Sequence, residues 1–298
     1  MALVLSVVFA LVAFAGNSVL CRLALLANPS APIDAASFTW IRLASAAVTL
    51  LILVQFTQSE KPLSKRYWAD VFSGTFKSSG LGAAYLFLYA ACFSFAYISL
   101  DTGIGALLLF STVQITMITV GLINGARLSM VEWVGLLLAA VGFLALVWPD
   151  LTSPAWLPSV LMIIAGLGWA FYTLAGKGAS NPLQVTTFNF VRTLPLCVVL
   201  ALVFGLFQDI TMNGFILAAI SGAITSGCGY AIWYRALRDL NTTQAAVLQL
   251  TVPVLAAFAG VVFAGESLDV HFYVTSTMIL GGVAIVIITG AKMRARAA

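Results

Sequence analysis

Long apolar runs, separated by short clusters of charged and turn-forming residues, follow one another along the whole chain. Ten runs have the length of about 20 residues that an α-helix needs to cross the hydrocarbon core of a bilayer. They lie near residues 3–26, 34–56, 78–98, 102–122, 130–148, 156–175, 183–205, 214–234, 243–263 and 271–290. The runs are too long for strands and lack the alternation of an outer-membrane barrel. The pattern therefore predicts an all-α transmembrane protein of ten helices, because a backbone in lipid must satisfy its hydrogen bonds internally.

The first run also needs to be compared with a cleaved signal peptide. Ala13-Phe14-Ala15 has the small-x-small form of a signal-peptidase site. No positive charge precedes the apolar run, however, and its hydrophobicity continues past this motif to Leu26. We therefore expect an uncleaved first span.

Composition agrees with this prediction and narrows the function classes. Of the 298 residues, 62% are hydrophobic and 8% charged, against roughly 45–50% and about 25% in soluble domains. Ten spans leave no room for a soluble catalytic or ATP-binding domain, and the single histidine, His271, comes with no catalytic, phosphate-binding or metal-ligand motif. We expect no enzymatic activity, no cofactor, no metal site and, at a net charge of only +4, no nucleic-acid partner.

The distribution of Lys and Arg predicts the orientation in the membrane. With a cytoplasmic N-terminus, the outer loops carry only Arg22, whereas six of the ten acidic residues fall on that side. Eleven basic residues then lie on the cytoplasmic side: Lys61, Lys65, Arg66, Lys77, Arg127, Lys177, Arg235, Arg238, Lys292, Arg294 and Arg296. We predict that both termini are cytoplasmic.

The chain also resembles itself when its halves are compared. A shift of 140 residues places Gly82 on Gly222 and Gly125 on Gly265, and a shift of 150 places Arg42 on Arg192. The longer loop 57–77 of the first half accounts for the difference between the two shifts. Each half, residues 1–148 and 149–298, then holds five spans, and an odd number inserts the second copy upside down.

An inverted-topology repeat has a mechanical consequence. Two halves that share an interface around a central cavity near the membrane midplane can exchange conformations, so that one site faces either side in turn. This arrangement predicts alternating access. The other interpretation is an old duplication that is kept only for packing.

Several segments then resemble a known family. Asn241-Thr242-Thr243-Gln244-Ala245-Ala246, Thr251-Val252-Pro253 and Gly265-Glu266-Ser267-Leu268 resemble the last EamA-type repeat of the drug/metabolite transporter superfamily. Gly125-Ala126-Arg127-Leu128 matches more loosely because it lacks the Glu, and Gly16-Asn17-Ser18 is similar to the opening segment of the family. The resemblance covers the chain as two five-span units. It implies a multi-pass protein of the bacterial inner membrane that exports small metabolites, including amino acids and related compounds.

Polar and aromatic residues at helical spacing predict a wet central cavity. Gln249 lies four residues before Pro253, whose ring leaves the carbonyl of residue 249 without its helical donor, so we expect a kink or gate there. Packing between helices is the other interpretation of such stripes. The candidate substrate-binding residues are Asn17, Tyr85, Tyr89, Gln114, Trp169, Tyr230 and Gln249.

Only Arg42 and Arg192 place a charge well inside predicted spans, each four residues after a phenylalanine on the same helix face, Phe38 and Phe188. A pair of guanidinium groups can hold a substrate carboxylate or phosphate, and this would favour an organic-anion or sugar-phosphate exchanger. Arginines that bond helix-end carbonyls or reach the interface are the structural alternative.

These patterns favour a secondary-active or facilitative exporter of small organic metabolites. We expect the lipid bilayer and a small-molecule substrate as its partners, and a monomer or weak homodimer as its state. A lipid translocator and a non-transporting membrane scaffold are the remaining alternatives. Gln114→Ala and Gln249→Ala are predicted to impair export.

Overall fold

A computed structural model describes residues 2–26, 32–57, 79–125, 127–151, 156–176, 181–204, 210–236, 239–240 and 248–297. Within these ranges the chain forms helices and no strands. The ten helices are α1 (Ala2–Leu25), α2 (Ala35–Thr57), α3 (Ser79–Ala96), α4 (Thr102–Ile123), α5 (Met130–Leu151), α6 (Leu157–Gly176), α7 (Pro182–Phe204), α8 (Met212–Ala236), α9 (Thr251–Ala264) and α10 (Val270–Ala297).

The predicted all-α membrane fold is confirmed. In the described ranges, seven helices are long and apolar enough to cross a membrane, and three shorter apolar helices cover Leu81–Ala96, Met130–Leu146 and Thr251–Ala264. Large apolar side chains such as Phe56, Ile123 and Met130 point outward with about four-fifths of their surface exposed. A bilayer is the solvent that favours such a surface.

Two helices differ in detail from the spans predicted for them. The span expected at 214–234 is α8, whose middle segment Ser221–Cys228 is a π-helix. The structure describes the span expected at 243–263 only from residue 248 onward. Residues 248 and 249 are helical, a turn follows at Leu250, and α9 then begins.

Some residues used in the sequence analysis lie outside the described ranges. They are residues 241–247, Ala126, Lys61, Lys65, Arg66, Lys77, Lys177 and Arg238, together with the side chains of Arg294 and Arg296.

Helices of the two halves pack in pairs, and the set of pairs stays the same when each helix is replaced by its counterpart in the other half. Helix α1 packs on α8 and α9, while α6, its counterpart in the second half, packs on α3 and α4. Helix α2 packs on α7, α4 on α9 and α5 on α10, and each of these pairs joins counterparts. An inverted repeat of five helices produces this set of partners.

Two glycines in left-handed conformations also occupy equivalent positions in the two halves. Gly125 follows the end of α4 with φ 89°, and Gly265 follows the end of α9 with φ 66°. These are the two glycines that a shift of 140 residues superposes in the sequence. Only glycine adopts this conformation without strain, so both halves stop the equivalent helix in the same way.

Candidate functional site

A small cavity lies between helices of both halves. Helices α1, α3 and α4 line it from the first half, and α6 and α8 line it from the second. Its free volume is about 20 Å³, which is room for about one water molecule. The lining residues are Phe14, Asn17, Ser18, Tyr89, Phe93, Leu109, Phe110, Trp169 and Tyr230.

Aromatic rings form most of the wall of this cavity. The Trp169 ring lies 5.0 Å from the rings of both Tyr89 and Tyr230, measured between centroids. Phe14 contacts Trp169 and Tyr230 edge-on at 6.3 and 5.7 Å. Rings at these distances stabilise one another by about 0.5–1.5 kcal/mol per pair beyond their burial, and their faces present electron density to a ligand.

A buried arginine lies directly behind this wall. Arg42 on α2 is 1% exposed, and its guanidinium carbon lies 5.2 Å from the ring centre of Tyr89 and 4.8 Å from that of Phe93. Its Nη2 donates to the Tyr89 hydroxyl at 2.8 Å, and its Nε donates to Ser226 Oγ at 3.2 Å. The charge is therefore connected to the cavity wall by a hydrogen bond and by ring faces.

Ser226 links Arg42 to Asn17, and the direction of each bond in this relay is fixed. Arginine can only donate, so Ser226 accepts from Arg42 and gives its own proton to Asn17 Oδ1 at 3.2 Å. The same oxygen accepts from Ser221 at 2.9 Å and lies 2.6 Å from the hydroxyl of Thr225. Asn17 Oδ1 is thus saturated, while its buried Nδ2 has no partner.

The π-helical segment of α8 supplies all three hydroxyls. Ser221, Thr225 and Ser226 belong to Ser221–Cys228, and π-helical turns frequently occur at functional sites. Gly222 lets this segment approach α2, because a methyl group there would overlap Ser45 Oγ and the backbone oxygen of Arg42. The close approach brings the hydroxyls within reach of the Arg42 side chain.

The structure brings four of the seven predicted substrate-binding residues to the cavity: Asn17, Tyr89, Trp169 and Tyr230. Tyr85 packs instead against Phe171, with 5.5 Å between the ring centroids. Gln114 is buried on α4 and Gln249 is half-buried before α9, and neither lines the cavity in this conformation.

Pro253 lies close to a break in the helical conformation of the ninth span. It occupies the first turn of α9, where a missing N–H removes no bond of that helix. The turn at Leu250 separates α9 from the helical residues 248 and 249. The proline therefore coincides with a helix break, and its role as a kink or gate stays a prediction.

The two intramembrane arginines have different environments. Arg42 is fully buried, whereas Arg192 on α7 is half-buried and does not line the cavity. The ring faces next to the Arg42 guanidinium belong to Tyr89 and Phe93 of α3, not to Phe38, which shares a face with Arg42 on its own helix. The reason is tertiary packing, which directs the side chain across to the neighbouring helix.

An ion network links three segments at one end of the bundle, which we call the Arg22 end. Arg22 of α1 donates from Nε to Glu266 Oε1 at 3.3 Å and from Nη2 to Asp101 Oδ1 at 3.1 Å. Its Nη1 donates to the backbone oxygens of Tyr97 and Ile98 at 3.2 and 3.1 Å. The network ties α1 to the α3–α4 turn and to the α9–α10 connection.

Glu266 is held in place by two further features of the chain. The left-handed Gly265 turns the backbone so that the Glu266 N–H donates to the Gly260 oxygen at 3.2 Å. The Glu266 carboxylate accepts from the N–H of Thr102 at 2.8 Å and from its hydroxyl at 2.9 Å. Its side chain is 5% exposed, so the ion pair is shielded from solvent.

A second, smaller cavity of about 10 Å³ lies toward the opposite end of the bundle. The Trp169 ring, which lines the central cavity, lies 5.5 Å from the ring of Tyr172, which lines the second one. The second cavity also contains Asn189, whose buried Oδ1 has no partner. Its lining consists of Tyr172, Gly176, Pro182, Val185, Thr186, Asn189 and Tyr234.

Comparison with known proteins identifies the family. The model of the EamA-like transporter family matches residues 156–288, the half in which the sequence resemblance was stronger. An uncharacterized protein of Pseudomonas aeruginosa is 42% identical over 280 residues, which cover 94% of this chain and 92% of that protein. The chain belongs to the EamA-like transporter family.

Two further relatives of this EamA-like protein are named transporters, and a solved structure has a similar fold. An uncharacterized transporter of Bacillus subtilis is 30% identical over 128 residues, covering 42% of this chain and 41% of that protein. An uncharacterized transporter of Archaeoglobus fulgidus is 25% identical over 205 residues, which cover 66% of this chain and 70% of that protein. A crystal structure with 15% identity superposes with a TM-score of 0.64 over 94% of this chain and 96% of that chain, which shows the same fold. The protein is a multi-pass membrane transporter.

Sequence reasoning missed several residues of this EamA-like site. Arg22 was predicted on the outer side of the membrane, but nothing in the sequence paired it with Asp101 and Glu266. Ser226 and Phe93 were not singled out, although Phe93 lies four residues after Tyr89 and so shares its helix face. A search for aromatic residues four apart would have found Phe93.

Proposed function

We propose that this EamA-like transporter exports small organic metabolites, such as amino acids and related compounds, across the bacterial inner membrane by alternating access. The two moving units are the five-helix repeats, residues 1–148 and 149–298. The observation that carries the proposal is the central cavity, because both repeats contribute to its wall. A relative movement of the repeats changes the volume and the exposure of such a site.

The present cavity is too small for a metabolite, and this supports a mechanism that involves an opening step. Drug-sized ligand pockets have volumes of roughly 300–1,000 Å³, whereas this cavity has about 20 Å³. The protein is therefore in a conformation that is closed around the central cavity. Substrate entry requires the aromatic wall to move apart.

The Arg22 network supports one closed gate in this conformation. On the predicted orientation, the Arg22 end faces outward, and the exposed Arg127, Arg235 and Lys292 lie at the cytoplasmic end. The repeat places Ala126 opposite Glu266, so the first half carries no acidic residue at the matching position. On the predicted orientation, the ion network therefore belongs to the outer end, and the first half lacks its acidic residue at the cytoplasmic end.

Solute counterflow in proteoliposomes tests the proposal. Purified protein is reconstituted with an unlabelled mixture of amino acids and related metabolites inside, and uptake of each labelled compound is measured. Trp169→Ala removes one wall of the cavity, whereas Trp133→Ala removes a tryptophan of similar size that is 44% exposed on the outer surface. We expect Trp169→Ala to lower counterflow at least about tenfold and Trp133→Ala to preserve it, since losing a buried ring costs a few kcal/mol.

The outcomes separate the rival functions. Counterflow by Trp169→Ala that equals that of the wild type and of Trp133→Ala, at equal folded yield, would contradict a substrate site at the cavity. No counterflow of any compound by the wild type would favour a membrane scaffold. Exchange restricted to phosphorylated compounds and sensitive to both Arg42→Gln and Arg192→Gln would favour an organic-anion or sugar-phosphate exchanger.

A further inference from the structure

Arg42 is a buried charge without a counter-ion among the described residues. Its hydrogen-bond partners there are the hydroxyls of Tyr89 and Ser226, and its Nη1 is buried without a partner. Arg22, which is also buried in the bundle, bonds the carboxylates of Asp101 and Glu266. Of these two buried arginines, only Arg22 therefore has an opposite charge beside it among the described residues.

An isolated charge in a low-dielectric interior is costly. Arginine stays protonated in proteins, so Arg42 cannot escape this cost by losing its proton. Removing an ion from water costs several kcal/mol unless an opposite charge and further hydrogen bonds offset the loss. Two neutral hydroxyls and two ring faces offset part of it. An anion from outside the chain would complete the set.

Asn17 offers a second free donor in the same relay. Its Oδ1 is saturated by the hydroxyls of the π-helical segment, so its unpartnered Nδ2 is the remaining polar atom. Asn17 lines the cavity and is joined to Arg42 through Ser226 alone. Two unpartnered donors joined through one relay, one of them charged, match the chemistry of a carboxylate, whose two oxygens both accept.

We propose that the substrates of this transporter carry a carboxylate that binds Arg42 Nη1 and Asn17 Nδ2, while the rest of the molecule packs against Phe14, Trp169 and Tyr230. This inference deepens the proposed function and rests on it. The rings of Tyr89 and Phe93 cover the guanidinium, and both line the cavity. The opening that admits a metabolite therefore moves the wall that separates Arg42 from the cavity.

The lining narrows the substrate class further. Among the described residues it contains aromatic, aliphatic, hydroxyl and amide side chains but no Asp or Glu, so an ammonium group would find ring faces but no carboxylate to offset the nearby Arg42 charge. A phosphate dianion would need a second cation, and Arg192 does not line the cavity. The site best fits a monocarboxylate with an aromatic or aliphatic body.

Thermal unfolding of the purified protein with matched probes tests the carboxylate. Hydrocinnamate has an aromatic body and a carboxylate, its amide is a neutral analogue of the same shape, and phenylpropylamine is the cationic analogue. We expect hydrocinnamate to raise the melting temperature in a concentration-dependent way and the other two to leave it unchanged. Equal shifts with hydrocinnamate and its amide would overturn the proposal.

Asn17→Asp tests the site without any substrate. The substitution keeps the size and the oxygen that accepts from the hydroxyls, and it places a carboxylate where the free amide nitrogen was. We expect the empty variant to be more thermally stable than the wild type, because Arg42 gains a counter-charge. Its affinity for hydrocinnamate should fall at least about tenfold, the effect of losing one charge-assisted hydrogen bond.

Arg192→Gln is the matched control, because it removes the other intramembrane arginine. We expect it to keep the hydrocinnamate response, whereas Arg42→Gln should lose it. If Arg42→Gln does not fold, Asn17→Asp still decides: lower stability of the empty protein together with unchanged hydrocinnamate affinity would overturn the proposal.

The failure of this inference differs from the failure of the proposed function. Protection by hydrocinnamate in the wild type but not in Asn17→Asp, without counterflow of any compound, would retain the carboxylate site and reject transport. Robust counterflow of neutral or cationic compounds that is unaffected by Asn17→Asp would retain transport and reject the carboxylate site.

Discussion

Arg22 and Glu266 lie 244 positions apart in the chain, yet Arg22 Nε donates to Glu266 Oε1 at 3.3 Å. Their side chains are 10% and 5% exposed, so the contact is a shielded ion pair between the first helix and the end of the ninth. Removing one partner of such a pair leaves the other charge buried and costs about 3–5 kcal/mol. The pair therefore couples the position of α1 to that of the α9–α10 connection.

Weakening this pair is expected to open the Arg22 end. Cys21 is fully buried next to Arg22, so its reaction with a membrane-impermeant maleimide reports opening. Glu266→Gln keeps the shape of the side chain but removes the charge that holds Arg22. We expect the labelling rate of Cys21, with the other three cysteines changed to Ala, to rise about tenfold in intact cells, as loss of a buried charged bond implies.

Glu132→Gln is the control for this measurement. Glu132 accepts from the N–H and hydroxyl of Ser129 at 2.7 and 2.8 Å and so caps the start of α5, far along the bundle from Cys21. Its substitution should leave Cys21 as slow to react as in the parent. Equal labelling in parent, Glu266→Gln and Glu132→Gln proteins would show that the pair does not close the outer end.

The fold could be predicted almost completely from the sequence because lipid leaves a chain few choices. Apolar runs of about 20 residues must become helices, and apart from the start of α9 and the end of α10 the observed helices begin and end within a few residues of the predicted spans. Gly125 and Gly265 were matched by a repeat in the sequence, and both adopt the left-handed conformation. The sequence therefore contained the backbone geometry of the repeat as well as its length.

The site was predicted only in part, because facing directions depend on how helices rotate against one another. Tyr85 and Tyr89 lie one turn apart on α3, yet Tyr89 lines the cavity and Tyr85 packs on Phe171. The same limit applies to Arg42, whose ring contacts come from α3 rather than from its own helix. Periodicity identifies a helix face, but the neighbouring helix decides which part of that face is wet.

Gly222 is expected to be essential for the contact between α2 and α8. A methyl group there would overlap the Arg42 backbone oxygen and Ser45 Oγ, so Gly222→Ala must separate the two helices. We expect a loss of several degrees in melting temperature and a lower folded yield. Gly121 on α4 has open space around its Cα, and Gly121→Ala should be neutral or stabilise by about 0.5–1 kcal/mol. Equal melting temperatures for both variants would contradict the close approach.

The orientation can be tested with two exposed positions at opposite ends of the bundle. Ser267 lies beside Glu266 at the Arg22 end, and Arg127 follows α4 at the other end. In a background without native cysteines, we expect Ser267→Cys to react with an impermeant maleimide in intact cells. Arg127→Cys should react only after the membrane is permeabilised. The reverse labelling pattern would place both termini outside.

Tyr89→Phe is expected to lower stability, because Arg42 has few partners that stabilise its buried charge. The Tyr89 hydroxyl accepts from Arg42 Nη2 at 2.8 Å, and its loss leaves a second buried nitrogen of the guanidinium without an acceptor. Such a loss costs about 1–3 kcal/mol, which should lower the melting temperature of the empty protein. Tyr85→Phe keeps the ring that packs on Phe171 and should change stability less. Because loss of this acceptor leaves the guanidinium charge less compensated, a carboxylate at Nη1 should stabilise Tyr89→Phe more than the wild type, and a smaller stabilisation would contradict an anion site at Arg42.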